Sequence, residues 1–240
     1  MRRQLKYKAG SFGLETFPRG EAPARHVHFD SYASVVLSGS FVEAGFAGRV
    51  NVQPGDVLLH GRFDCHANSS TCARSVTILS LPWRDHWVEG HFHVCDPDLL
   101  VRLAETDLRE SMSALAAAFQ PARSASHHWT ELLASDLRTT AYLSLRRWAR
   151  SFDMRPEALS RGFHREFGVS PKQYRLEARA RSAWREVLRS PRPLTTIAYD
   201  LGFSDLAHLS RSVRLLTGYS PSAWRSWARN SVQAQFPKIT

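Results

Sequence analysis

The stretch Ile197-Ala-Tyr-Asp-Leu-Gly-Phe-Ser-Asp205, continued by Leu209-Ser-Arg211 and Gly218-Tyr-Ser-Pro-Ser-Ala-Trp-Arg225, decides the fold because its pattern occurs twice. Leu194, Ile197, Ala198 and Leu201 sit at the i, i+3, i+4, i+7 positions of an amphipathic helix, and Leu145, Trp148, Ala149 and Phe152 repeat them 49 residues earlier. Leu159-Ser160-Arg161 and Gly168-x-Ser170-Pro171 recur as Leu209-Ser210-Arg211 and Gly218-x-Ser220-Pro221 at an offset of 50. Tyr174-Arg175 becomes Trp224-Arg225. The second copy therefore has one added residue between its two helices, in the interval holding Gly202, where a chain reversal can use a positive φ. Each copy reads as a short helix, a tight turn and a second helix closed by glycine. Ala149 and Ala198 are small enough to let the two helices cross closely.

The ends of these helices are also written in the sequence. Pro156 suits the first turn of the second helix in copy one, although Arg155 before it is a poor cap. In copy two Ser204 is a good N-cap, and Asp205 favours the positive helix end. Between the copies, Ser170-Pro-Lys-Gln173 has the form of a capping box. Tyr174, Ala178, Trp184, Val187 and Leu188 give the following helix an apolar side, and Ser190-Pro-Arg-Pro193 stops it. Such a spacer of 19 residues, at ~1.5 Å per residue, spans ~28 Å. That is close to the ~34 Å separating major-groove faces one turn apart. Two helix-turn-helix units on it could enter consecutive grooves of one duplex.

Charge follows the same division. The 240 residues carry 32 Lys+Arg and 22 Asp+Glu, a net charge of +10. Residues 141–230 hold 17 of the cations and 7 of the anions, so the rest of the chain is balanced. All but Lys172 of those cations are arginines, whose donor fork suits phosphates and guanine edges. A polyanion fits this part; a solvated basic surface, an acidic lipid surface and a helical protein-contact module are the other readings. With 43% hydrophobic and 22% charged residues, the composition excludes a disordered chain. No run reaches the ~18–20 apolar residues of a membrane span. Met1-Arg-Arg-Gln-Leu-Lys-Tyr-Lys8 leads into no apolar signal core, and Cys65, Cys72 and Cys95 are too few for a disulfide framework. The expected compartment is the reducing cytoplasm.

From Leu143 to Arg225 the sequence resembles the arabinose-regulator (AraC/XylS) family of bacterial transcription regulators, with Val213 where that family usually has phenylalanine; Phe163 holds this place in copy one. A slightly smaller core follows, with no loss of fold. The resemblance implies two helix-turn-helix units whose second helices enter the major groove of double-stranded DNA. It then places Glu157, Ser160, Arg161 and His164 of copy one, and Leu206, Ala207, His208, Ser210, Arg211 and Arg214 of copy two, outward or at the groove edge. Glu157 could accept from a cytosine amino group, and Leu206 or Ala207 could touch a thymine methyl. Arg161 and Arg211 are the foremost candidates, for guanine or for phosphate. RNA polymerase is a further partner of such a regulator, and no catalytic role is expected.

Residues 1–95 alternate in the manner of short strands. His26-Val-His-Phe, Ala33-Ser-Val-Val-Leu, Arg49-Val-Asn-Val, Asp56-Val-Leu-Leu and Val76-Thr-Ile-Leu are strand-like, and Gln53-Pro54-Gly55-Asp56 is a turn. An all-β barrel or sandwich of seven or eight strands is expected. The spacing resembles the cupin family: Gly20, His26, His28 and Gly39 fit its first motif, with Tyr32 at the glutamate position. Gly55 and His66 fit the second, in which Gly61, Phe63 and Ser70 replace proline, glycine and asparagine. This resemblance implies a cupin-like sensing domain with a pocket at His26, His28, Tyr32 and His66, open to an unidentified small-molecule effector. No cofactor is the favoured reading. The alternative is a transition metal on His26, His28 and His66, with Cys65 and Cys72 nearby, making the barrel a metal sensor or metal-dependent enzyme. His91-Phe-His93-Val-Cys95 reads as the domain's last strand.

Asp96 and Pro97 open a helix whose stripe Leu100, Ala104, Leu108, Met112, Leu115 and Phe119 could mediate a homodimer, as related regulators do, or pack on the barrel. The expected organisation is a barrel over 1–95, a linker helix and flexible linker over 96–128, the DNA-binding part over 129–230, opened by a helix near Trp129–Leu137, and a tail over 231–240.

Overall fold

Two residue periods build the molecule, one of two in its N-terminal strands and one of 3.6 in its C-terminal helices. The structure is a computed structural model that describes residues 7–8, 12–69, 74–83, 89–121, 128–140 and 142–230. Ser70, Cys72, residues 122–127 of the expected linker and the 231–240 tail lie outside these described residues.

The N-terminal strands are β1 (Tyr7–Lys8), β2 (Gly13–Phe17), β3 (His26–His28), β4 (Tyr32–Ser38), β5 (Phe41–Gly45) and β6 (Gly48–Val52). They continue as β7 (Asp56–His60), β8 (Cys65–Ser69), β9 (Val76–Pro82), β10 (Gly90–His93) and, after two helices, β11 (Gln120–Pro121). One sheet has the order β1-β3-β8-β5-β6 and the other β11-β10-β7-β4-β9-β2, antiparallel except for β1 beside β3. Every strand expected from the alternation is present, and the all-β expectation holds. Alternation then sorts side chains between faces. Val36, Phe41, Val50, Val52, Leu58, Val76 and Ile78 fill the space between the sheets. Ala33, Val35, Val57, Leu59, Leu79 and Leu81 turn outward from the second sheet, and Val27, Ala44 and Cys65 turn outward from the first.

That second outer face is covered by α1 (Pro97–Thr106) and α2 (Leu108–Ala118). Asp96 caps α1 by accepting from the Leu99 amide, as its sequence indicated. The continuous helix expected from the apolar stripe is instead broken at Asp107, which is extended and caps α2 by accepting from the Arg109 amide. The chain folds back there, so Leu100 and Leu115, far apart on a single helix, both reach the sheet. The Ser111 hydroxyl bonds to the Leu100 carbonyl and ties the hairpin together.

The helical part contains α3 (Trp129–Thr139), α4 (Leu145–Ser151), α5 (Pro156–Phe167), α6 (Pro171–Arg189), α7 (Leu194–Asp200), α8 (Leu206–Thr217) and α9 (Pro221–Asn230). The duplication is visible in detail. Gly168 and Gly218 end α5 and α8 at φ +70° and +81°, a left-handed cap that costs glycine nothing. The turn after α4 has Asp153 at φ +50°, and its counterpart after α7 is Gly202 at φ +71°. Met154 and Phe203 then donate to Ala149 and Ala198 in equivalent bonds. The added residue of copy two thus falls after Phe203, in the helix cap. Asp205, not Ser204, is that cap: it accepts from the His208 amide, while the Ser204 hydroxyl bonds to Asp205. Ser170 caps α6 through the Gln173 amide, but the Gln173 side chain turns to Glu177, so the capping box is only half formed.

The two parts do not meet only through a linker. Val27, Ala44, Phe46, Phe63 and Cys65 belong to the same buried cluster as Trp148, Phe163, Tyr174, Trp184 and Trp224. Phe63 is its joint. The residue takes φ +56°, a conformation that strains any non-glycine side chain. Its amide donates to His28 and its ring stands edge-on to Trp184 and Trp224, at 4.9 and 5.9 Å between centroids. Phe63→Ala keeps the backbone strain and removes the ring, so chemical denaturation should show a loss of about 3–5 kcal/mol. A loss below about 1 kcal/mol would show that the ring is not a packing element.

Candidate nucleic-acid interface and barrel pocket

On the helical side, α5 and α8 bury one face and expose the other. Leu159, Phe163 and Phe167 of α5, and Leu209, Val213 and Leu216 of α8, are buried. Val213 is fully enclosed despite being smaller than Phe163, its counterpart. Glu157, Arg161 and His164 are exposed on α5, with Ser160 half-buried. On α8, Leu206, Ala207, Arg211 and Arg214 are exposed, and His208 and Ser210 are half-buried. His208 is partly engaged: its ring bonds to the Ser204 hydroxyl and packs edge-on against Phe203.

The arginines of α6 have other work. Arg175 donates to the Leu143 carbonyl, at the entry to the first unit, and Arg179 to that of Gly202, in the turn of the second. Arg181, only 3% exposed, donates through Nε to the Arg62 carbonyl and pairs with Glu89. Arg185 joins the same carboxylate. Among the described residues, part of the basic excess is therefore spent inside the molecule.

On the barrel side, β3 and β8 pair with His26 opposite His66, and β4 and β7 pair with Tyr32 opposite His60. Tyr32 is not a continuation of the His26-His28 strand; it reaches the pocket from the facing sheet, its ring 4.4 Å from that of His28. The expected residues are thus brought together. Glu43, His60 and Asp64 join them, all buried. The alternation did mark two of these: Glu43 follows inward Phe41 on β5, and His60 follows inward Leu58 on β7. Cys65 is removed from the candidate ligands, because it lies on the opposite face of β8 from His66 and packs against the helical part. A small pocket opens beside the cluster. Phe17, Phe41, Val76 and Ile78 line its apolar part, and His26, His28, His66 and Glu43 its polar end.

Hydrogen bonds assign the tautomers. His26 Nδ1 donates to the Ala24 carbonyl at 2.8 Å, so in the neutral ring Nε2 accepts, from His28 Nε2 at 2.8 Å. His60 and His66 both place Nδ1 on Asp64 Oδ2, at 2.8 and 3.3 Å. Burial, then the neighbouring rings, hold His28 far below the imidazole range. Burial also holds His66 at about 3, against the pull of Asp64. Burial alone would lower His60, but Glu43 and Asp64 reverse this and raise it. Glu43 is pushed up to about 7 by burial, opposed by His60. Burial would raise Asp64 too, yet the bonds from His60 and His66 and the charge of Arg181 keep it well below the carboxylate range.

Pocket and helices are joined by polar clamps. Arg25, next to His26, donates Nε and Nη2 to Glu177 Oε2 at 3.0 and 2.8 Å, and Nη1 to the Phe167 carbonyl. Arg49 pairs with Glu166 at 2.9 Å, and the Tyr174 hydroxyl donates to the Gly45 carbonyl. Glu177→Ala strands the Arg25 guanidinium, which is 5% exposed, and should cost about 3–5 kcal/mol in denaturant unfolding. An unchanged midpoint would mean that the pair contributes nothing net.

This geometry, two short helix-turn-helix units on a shared helix with a β unit docked beside them, defines a double helix-turn-helix protein. Residues 148–226 match the family model of the helix-turn-helix domain. The helical part therefore contains a helix-turn-helix domain. No curated protein matches the chain. Among solved structures, it is similar to ToxT from Vibrio cholerae O395, at 9% identity and a TM-score of 0.43, over 92% of this chain and 98% of that one. It is also similar to the DNA-binding domain of AdpA in complex with a target DNA, at 23% identity and a TM-score of 0.41, over 45% and 100%. The C-terminal domain of AraT from Geobacillus stearothermophilus aligns at 20% identity and a TM-score of 0.40, over 49% and 97%. Among the described residues, no helix is long and apolar enough to cross a membrane.

Proposed function

We propose that this protein is a DNA-binding transcription regulator that reads a specific operator through the outward faces of α5 and α8, under the control of a small ligand bound in the barrel. The observation that carries the proposal is an arrangement within the matched domain. The barrel docks on α6 and the end of α5, while Glu157, Arg161, His164, Leu206, Ala207, Arg211 and Arg214 stay exposed. Exposed arginines on second helices that end in glycine caps are the groups expected to meet phosphates or guanine edges.

The sensing role is supported by how the walls are shared. Along β3 and β8, alternate residues face the pocket and the helical part: His26, His28 and His66 inward, Val27 and Cys65 outward. A ligand that moved either strand would move contacts with α6, biasing the population in which both units are placed for DNA. The pocket's apolar walls with one polar end suit a small molecule of mixed polarity. A homodimer and a contact with RNA polymerase belong to the same proposed action. Because α1 and α2 use Leu100 and Leu115 on the sheet, self-association through that hairpin would draw on others, such as the exposed Leu99 and Leu108.

Arg161→Ala and Arg211→Ala, titrated against an operator selected from random DNA and against its scrambled counterpart, test the reading. A bidentate guanine contact predicts a loss of about 1–3 kcal/mol on the operator alone. A phosphate contact predicts equal losses on both sequences and a salt slope shallower by about 1. If neither variant changes affinity for either duplex, α5 and α8 are not the reading helices.

A further inference from the structure

We propose that the polar end of the barrel holds a divalent transition-metal ion, zinc being the best match, through Nε2 of His60, Nε2 of His66 and the Glu43 carboxylate, with Asp64 orienting both rings. It deepens the sensing role above and rests on it only for its biological meaning. The site differs from the His26, His28 and His66 triad implied by the cupin resemblance, since Glu43 lies outside both motifs and His60 is at no defining position of either.

The hydrogen bonds separate the two sets. His26 and His28 are spent on each other: the His26 Nδ1 bond to Ala24 leaves Nε2 as an acceptor, so His28 Nε2 carries the proton between them. That leaves His28 Nδ1 as the ring's lone pair, and it is buried with no hydrogen-bond partner, on the far side of the ring from His26. His28 therefore has no Nε2 lone pair to offer a metal beside His26. For His60 and His66 the situation is reversed. Both Nδ1–H groups point to one carboxylate oxygen, Asp64 Oδ2, which in the neutral rings leaves both Nε2 atoms as lone pairs. A carboxylate behind a histidine is the arrangement that fixes the tautomer and direction of metal-binding imidazoles.

Both lone pairs face the same third group. Glu43 Oε2 lies 3.7 Å from His60 Nε2 and 3.8 Å from His66 Nε2, too far for hydrogen bonds. Bonds of ~2.0–2.1 Å to a tetrahedral zinc place its ligand atoms roughly 3.3 Å apart, so the carboxylate is within a few tenths of an ångström of that spacing from each ring, and the ligand atoms of the cluster all lie within 4.8 Å of one another. His60 Nε2 has no hydrogen-bond partner although the side chain is only 3% exposed. Leaving such an atom unsatisfied is costly, and a metal ion satisfies it together with its two neighbours. Two imidazoles and one carboxylate are a set that binds zinc and keeps a fourth position open. His66 and Glu43 also line the pocket, so that position is available to a ligand atom.

The test uses the full chain, stripped with chelator, titrated with zinc alone and with cobalt(II), and assayed for bound metal after gel filtration. One zinc per chain is expected, with visible absorption from the cobalt form. Glu43→Gln, nearly isosteric, and His60→Ala should each weaken zinc binding by about 100-fold or more. Asp64→Asn should weaken it by about 10–100-fold, while His28→Ala keeps the ion. Thermal unfolding and circular dichroism report whether each variant is folded; wild-type stoichiometry decides independently of them. Absence of stoichiometric zinc in the wild type overturns the proposal. So does loss in His28→Ala with retention in folded His60→Ala and Glu43→Gln, which would seat the ion on the motif triad. Duplex binding measured on the same samples keeps failure here distinct from failure of the DNA-reading proposal.

Discussion

Helix α6 carries charge into the interior, and that constraint organises the molecule. Glu177 and Arg181 are both nearly fully buried on it. Neither charge is balanced within the helix: Glu177 is met by Arg25 from the barrel, and Arg181 by Glu89. A buried charge without its partner is far more costly than one left in water. The barrel and the helix-turn-helix units are consequently parts of one structure, with Phe63 wedged between Trp184 and Trp224 where the polar contacts end. The same helix braces both units through Arg175 and Arg179, so whatever holds α6 also holds the geometry between α5 and α8.

The barrel serves this scheme because the middle of each sheet is covered on its outer side. One sheet is covered by the α1–α2 hairpin and the other by the helical part. A strand with two buried faces can present histidines on one and small apolar residues on the other, as His26-Val27-His28 and Cys65-His66 do. The pocket and the domain contact are then one residue apart along the chain.

Much of this was legible in the sequence. The 49- and 50-residue offsets, the glycine caps and the proline starts fixed the double helix-turn-helix because helix ends obey local chemistry. The histidines at 26, 28 and 66 converge because alternation and pairing register bring them to one face. What escaped depends on distant partners or on a single break. The stripe from Leu100 to Phe119 keeps its three- and four-residue steps across Asp107, so periodicity does not reveal that the chain turns back there. The role of the buried α6 charges was hidden because Glu89 and Arg25 lie 92 and 152 residues away from their partners Arg181 and Glu177. His60 and Glu43 were on inward positions, but nothing local pairs them. Adjacent Cys65 and His66 could never have shared a face, a consequence of the two-residue period alone.

The duplication is imperfect in an informative way. Ser160 and Arg161 reappear as Ser210 and Arg211, whereas Glu157 and His164 are replaced by Ala207 and Arg214. The second copy also enters its outward helix through a lengthened, acidic cap. The two units are therefore twins in framework and unlike at their edges. A single chain has a head and a tail, and if α5 and α8 meet a duplex as proposed, turning it end over end would bring different chemistry to the bases. Polarity on the polymer is thus built into one polypeptide, before any second subunit is considered.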